Sequence, residues 1–154
     1  MNDVNCAPEE MCSIARTIEV VGDKWTILIL REAALRKVTR FADFRTGLRI
    51  APDILSNRLN ILLEAGVMEK QPYREPGART RYSYHLTPAG EKLLLVLAAL
   101  QQWGDEHRPP TSGPSVLRRS ADHGRPVRVA FVDDTDSVVS ADGVLFPYAS
   151  ERSA

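Results

Sequence analysis

Asp53, Ser56, Asn57 and Asn60 gather on one side of a helix when placed at about 100° per residue. Leu55, Leu59 and Leu62 then fall on the opposite side, within about 60° of one another. Short amide and hydroxyl side chains of this kind reach base edges in a major groove. Asparagine pairs with adenine through two bonds, and serine with several donors or acceptors. Downstream, Arg74, Arg79, Thr80 and Arg81 surround a turn sequence. Arg79 and Arg81 have the same parity on an extended chain, with Thr80 facing away. Their guanidinium groups suit phosphate or a minor groove. Arg45 and Arg49, just ahead of the polar helix, are expected to hold phosphates, which sets register without reading sequence. Arg58 lies about 60° off the leucine stripe, and two roles are open to it: phosphate contact or an ion pair inside the domain.

A reading face needs a scaffold, and the flanking sequence supplies one. Residues 12–21 and 24–35 read as helices broken near Gly22-Asp23. The second is apolar on nearly every side, as a central core helix would be. Residues 41–47 form a short helix with Phe41 and Phe44 inward, and the polar helix runs from Pro52, favoured in a first turn, to Ala65 before Gly66. Residues 67–73 and 81–86 are strand-like, joined by a turn at Glu75-Pro76-Gly77-Ala78. Thr87 and Pro88 start another helix as cap and first residue. Helix, helix, basic hairpin, helix is the order of a winged helix-turn-helix. The expected class is mainly α with a small β wing (α+β).

Net charge is zero over 154 residues, but the charge is segregated. Residues 12–90 hold 13 Lys/Arg against 8 Asp/Glu, while residues 91–154 hold 7 against 9. A local excess sets the field that a phosphate backbone meets. The longest apolar run, residues 93–100, is too short to span a bilayer, and no signal-peptide pattern opens the chain, so a cytoplasmic protein without a membrane partner is expected. Two cysteines make neither a disulfide framework nor a metal site. No cofactor is expected. The histidines are scattered, and no phosphate loop, paired-histidine helix or nucleophile elbow marks an enzyme.

The helix from Pro88 to about His107 carries Leu93, Val96, Leu97, Leu100 and Trp103 on a stripe widened by Leu94, Leu95, Ala98 and Ala99. That exceeds what one neighbouring face needs, so these five residues are expected at a homodimer interface through terminal helices. The expected organisation is a flexible acidic arm over 1–11, a DNA-binding and dimerisation domain over 12–107, a linker over 108–116 and a C-terminal β-strand extension over 117–154. PVRVAFV and GVLFPYA read as two strands separated by an acidic turn, DDTDSVVSAD.

CSIARTIEVVGDKWTILILREA, APDILSNRLNILLEAGVMEK, RTRYSYHLTPAG and LAALQQWGDEH together resemble the HxlR-type bacterial transcription regulators, relatives of the MarR group. The resemblance implies a homodimer on a pseudo-palindromic duplex DNA operator, with repression expected over activation. It places the recognition helix on residues 52–65, the wing on 73–84 and the family's N-terminal cysteine on Cys12. Two positions depart from the family pattern. Ala51 stands where a capping Ser or Thr is common, and Asp53 stands where a basic or neutral residue is common. Some members sense oxidants or electrophiles through the N-terminal cysteine, which makes Cys12, near a helix start that favours thiolate, a candidate sensor. Cys6 is a candidate resolving partner, and a small-molecule effector is the alternative signal. The rival class is a winged-helix protein–protein interaction module without specific DNA binding.

Overall fold

The computed structural model describes residues 12–114 and 116–147. Helix α1 (Ser13–Val21) begins after Cys12 and ends at Gly22, whose N–H donates to the Ile18 carbonyl at 2.7 Å. Asp23 caps α2 (Lys24–Arg36), its Oδ1 accepting from the Trp25 N–H at 2.8 Å. Because α2 is apolar nearly all round, it becomes the centre of the core: Thr26, Ile29, Leu30 and Ala33 are buried. Glu32 is buried with them, and its carboxylate accepts from Arg31 at 2.6 Å and Arg36 at 3.3 Å. A carboxylate withdrawn from water in this way needs such partners.

Helix α3 (Phe41–Leu48) drops Phe44 into the core and ends on Arg49, a non-glycine residue at φ +51. Ile50 is buried, Ala51 is extended, and α4 (Pro52–Glu64) follows. Leu55, Leu59 and Leu62 are fully buried, each contributing about 1.5–3 kcal/mol through burial. Gly66 at φ +67 provides the left-handed exit. Strand β1 (Met68–Tyr73) pairs antiparallel with β2 (Arg81–Leu86), from Met68 opposite Leu86 to Tyr73 opposite Arg81. Ala78 N–H closes the intervening turn on the Glu75 carbonyl at 3.0 Å, with Gly77 at φ +75. Thr87 caps α5 (Pro88–Lys92), its Oγ accepting from the Gly90 N–H at 3.1 Å. This is the winged helix-turn-helix order, mainly α with a small β wing.

The helix expected from Pro88 to about His107 is divided. Leu93 N–H turns back to the Gly90 carbonyl at 3.1 Å, a tighter three-residue bond, before α6 (Leu94–His107) begins. The wide apolar stripe divides as well. Leu93 and Leu97, four apart, pack against the core, whereas Val96, Leu100 and Trp103 remain exposed.

By backbone proximity the chain separates into two units, one ending at Leu97 and one starting at Ala98. Within the second, the Gln102 amide makes two bonds to the Val129 backbone, accepting at 2.8 Å and donating at 3.0 Å. Gln101 donates to the Val116 carbonyl at 2.6 Å, and Arg118 pairs with Asp105 at 3.5 Å. Strands β3 (Phe131–Val132) and β4 (Val138–Val139) form a short antiparallel hairpin. The second strand therefore lies inside the stretch expected as an acidic turn, and residues 143–147, the described part of the expected strand GVLFPYA, form no strand. A 3-10 turn over Ala141–Gly143 occupies its approach. The cause is Asp133: its Oδ1 accepts from the backbone N–H groups of Thr135 and Ser137 at 2.9 and 3.0 Å, closing the turn early. Hydrogen bonds from the Thr135 side chain and from these backbone groups hold its carboxyl below the ordinary carboxylate range.

Candidate nucleic-acid interface

The polar side of α4 follows from its leucines. With Leu55, Leu59 and Leu62 fixed inward, Asp53, Ser56, Asn57 and Asn60 are all exposed. Asp53 lies in the first turn, where its charge favours the helix dipole. Ala51 at the cap position accepts the Leu55 N–H through its carbonyl at 3.0 Å, but it has no side-chain oxygen to cap the earlier N–H groups. Arg45, in the last turn of α3, and Arg49, just beyond it, are exposed.

Arg58 resolves differently. Its Nη2 lies 3.1 Å from Asp23 Oδ2, with both side chains largely covered. Of the two roles its position allowed, the structure displays the ion pair inside the domain.

The wing is braced at its root. Tyr84 N–H donates to the Thr39 carbonyl at 2.7 Å, and Arg40 bridges to Ser83, so the segment before α3 runs beside β2. The Arg40 guanidinium lies 5.0 Å from the centre of the Tyr73 ring and 3.3 Å from Glu75. Lys70 sits 5.0 Å over Tyr82 on the opposite face. Arg74 donates through Nε to the Ala78 carbonyl at 3.0 Å and so stiffens the turn. Arg79, Thr80 and Arg81 follow, all exposed. Tyr84 and Leu86 pack inward, and burial raises the Tyr84 phenol above its usual value. Arg40 was not singled out from the sequence. Its place in the densely basic stretch 36–58, just before α3, was the available signal.

Cys12 is half-buried at the N-cap of α1, and its side chain makes no capping bond. Cys6 lies outside the described residues. Among the described residues no cluster of His, Cys, Asp or Glu could hold a metal ion, and no helix is long and apolar enough to cross a membrane.

Comparison with protein families matches residues 20–112 to the HxlR-like helix-turn-helix. An uncharacterised HTH-type transcriptional regulator of Mycobacterium tuberculosis (strain H37Rv) is 41% identical over 107 residues, covering 70% of this chain. The match spans 66% of that relative's own length, a little under two thirds. Among solved structures, PA1607, presented as a candidate transcription factor, aligns with a TM-score of 0.76 and 33% identity, covering 89% of this chain and 94% of the other. PA1374 from Pseudomonas aeruginosa, also presented as a candidate transcription factor, aligns with a TM-score of 0.63 and 38% identity, covering 92% and 95%. Both spans run past residue 112 into the second unit.

Proposed function

The chain belongs to the HxlR-like helix-turn-helix family, and on that premise we propose that it is a sequence-specific DNA-binding transcriptional regulator acting as a homodimer on a pseudo-palindromic operator. The observation that carries this reading is the exposed polar side of α4, held by three buried leucines and flanked by arginines before it and in the wing. Ser56, Asn57 and Asn60 read base edges, and Asp53 stays clear of the backbone. Arg45, Arg49, Arg79 and Arg81 hold phosphates, with Thr80 and Arg74 alongside.

A two-fold partner places two copies of α4 about 34 Å apart, one helical turn of DNA. Binding across a promoter represses, and any signal that changes that spacing by a few ångströms releases one half-site. Cys12, half-buried at the start of α1, is the candidate receiver of an oxidant or electrophile, with Cys6 as its partner. A small-molecule effector is the other signal.

The test is gel-shift of the purified protein on its own upstream intergenic DNA, with and without diamide. The expected result is salt-dependent binding that Asn57→Ala relaxes in sequence preference. Loss of binding under diamide should be absent in Cys12→Ser. Failure to bind duplex DNA at low salt would instead favour a protein–protein interaction module.

A further inference from the structure

We infer that Asp23 is a positioning residue for the reading helix, acting through Arg58; this rests on the proposal that α4 reads DNA. One carboxylate serves two helices. Its Oδ1 accepts from the Trp25 N–H at the start of α2, and its Oδ2 faces Arg58 Nη2 on α4 at 3.1 Å. The side chains are 27% exposed for Arg58 and 34% for Asp23, so solvent screens the pair less than a fully exposed one. Arg58 Nε is buried without a partner among the described residues, and the charge contact of its guanidinium is the one from Nη2 to Asp23.

Asp23 is itself held firmly. The residue before it, Gly22, has no room for a side chain, because a Cβ there would lie 2.5 Å from the Ile18 carbonyl oxygen. The α1–α2 junction is therefore closely packed on the last turn of α1, and α4 meets it through the Arg58–Asp23 pair.

Leu55, Leu59 and Leu62 keep α4 on the core, but apolar burial is not directional and leaves small rotations open. Arg58 sits beside Asn57 and two residues before Asn60 on the flank of the helix. At an outer radius of about 5–6 Å, a rotation of about 10° moves a side-chain tip by about 1 Å. That displacement is enough to take a base-edge hydrogen bond out of its range. The ion pair fixes that rotation and removes Arg58 from the residues that grip phosphate.

The experiment uses the full chain and two probes: a duplex enriched by wild-type protein from a random-sequence pool, and a shuffled duplex of the same composition. Asp23→Asn keeps a capping oxygen while losing the charge, and Arg58→Gln removes the other partner. Each is expected to lower affinity for the enriched duplex about tenfold, the scale of one weakened base contact. Affinity for the shuffled duplex and the salt slope should stay unchanged, and the double variant should be no worse than the weaker single.

If Arg58 instead holds a phosphate, the signs separate. Arg58→Gln would then reduce the salt slope by about 0.9, and Asp23→Asn would tighten both duplexes by freeing the guanidinium. That result overturns the proposal, as does wild-type affinity in both variants. Should Arg58→Gln fail to fold, Asp23→Asn decides alone. A pool from which wild-type protein enriches nothing would defeat the DNA reading itself, an outcome distinct from enrichment that Asp23→Asn leaves intact.

Discussion

The carbonyl oxygen of Val67 occupies the space that a Cβ on Gly90 would need. The entry to β1 and the first turn of α5 thus meet backbone to backbone. Thr87 locks the contact: its N–H donates to the Val67 carbonyl at 3.1 Å, and its hydroxyl donates to the Gly66 carbonyl at 2.7 Å. A methyl at residue 90 must push the helix off the wing. Overpacking costs about 1–3 kcal/mol, occasionally more, and backbone yields less readily than a side-chain tip. Gly90→Ala is expected to lower Tm by several degrees in thermal unfolding followed by circular dichroism. A Tm within about one degree of wild type would show that the two segments are not so close in solution.

Ala51 predicts a change in the opposite direction. Its backbone is extended at φ −65 and ψ 140, as a cap residue's should be, yet it offers no side-chain acceptor to the first turn of α4. Ala51→Ser supplies one and should stabilise by about 0.5–1 kcal/mol. The Tm should rise by a few degrees, and a fall would mean that the serine takes a rotamer turned from the helix.

These two positions show what was legible in the sequence and what was not. The leucine stripe of α4, the Thr87-Pro88 start and the Glu75–Ala78 turn follow from periodicity and local backbone preference, and each is found where expected. The break at Leu93 did not show, because the apolar spacing runs through it uninterrupted, and the close approach of Gly90 to Val67 just before it is a contact distant in sequence. The Asp23–Arg58 pair was open for the same reason: helix geometry gives the angle of Arg58 but not the charge it meets. In the second unit, Asp133 closed a turn where a longer acidic loop was expected, and the short hairpin moved with it.

Arg49 sits in the left-handed region at φ +51, where a residue with a Cβ costs roughly 1–2 kcal/mol. Glycine would relieve that strain, so Arg49→Gly should unfold no earlier than wild type. Its DNA affinity should fall nonetheless, with the salt slope reduced by about 0.9 if one phosphate contact is lost. A variant that keeps the wild-type slope would place Arg49 away from the backbone.

Arg79 follows the turn and Arg81 opens β2 opposite Tyr73, and both side chains are exposed, so neither is part of the buried core. Replacing both with alanine should leave Tm unchanged. Affinity for any duplex should drop, and the salt slope should fall by about 0.9 for each phosphate contact removed. A salt titration with wild-type slope and affinity would exclude the wing from the interface.

Val96, Leu100 and Trp103 recur at helical spacing on α6 and are 39%, 52% and 59% exposed. Scattered apolar residues on a surface are ordinary, but three in register along one helix form a patch. Burying the exposed half or so of the Leu100 and Trp103 side chains on both protomers would contribute on the order of 3–7 kcal/mol before the costs of association. Because neither side chain belongs to the core of its own protomer, replacing both with glutamate should leave the fold intact. Sedimentation equilibrium is expected to find wild type as a dimer and the Leu100→Glu, Trp103→Glu variant as a monomer at the same micromolar concentration. That monomer should bind a single half-site with the wild type's weak one-sided affinity and lose the gain from spanning two. A wild-type protein that sediments as a monomer at every concentration would remove the two-fold partner, and with it the reason for a palindromic site.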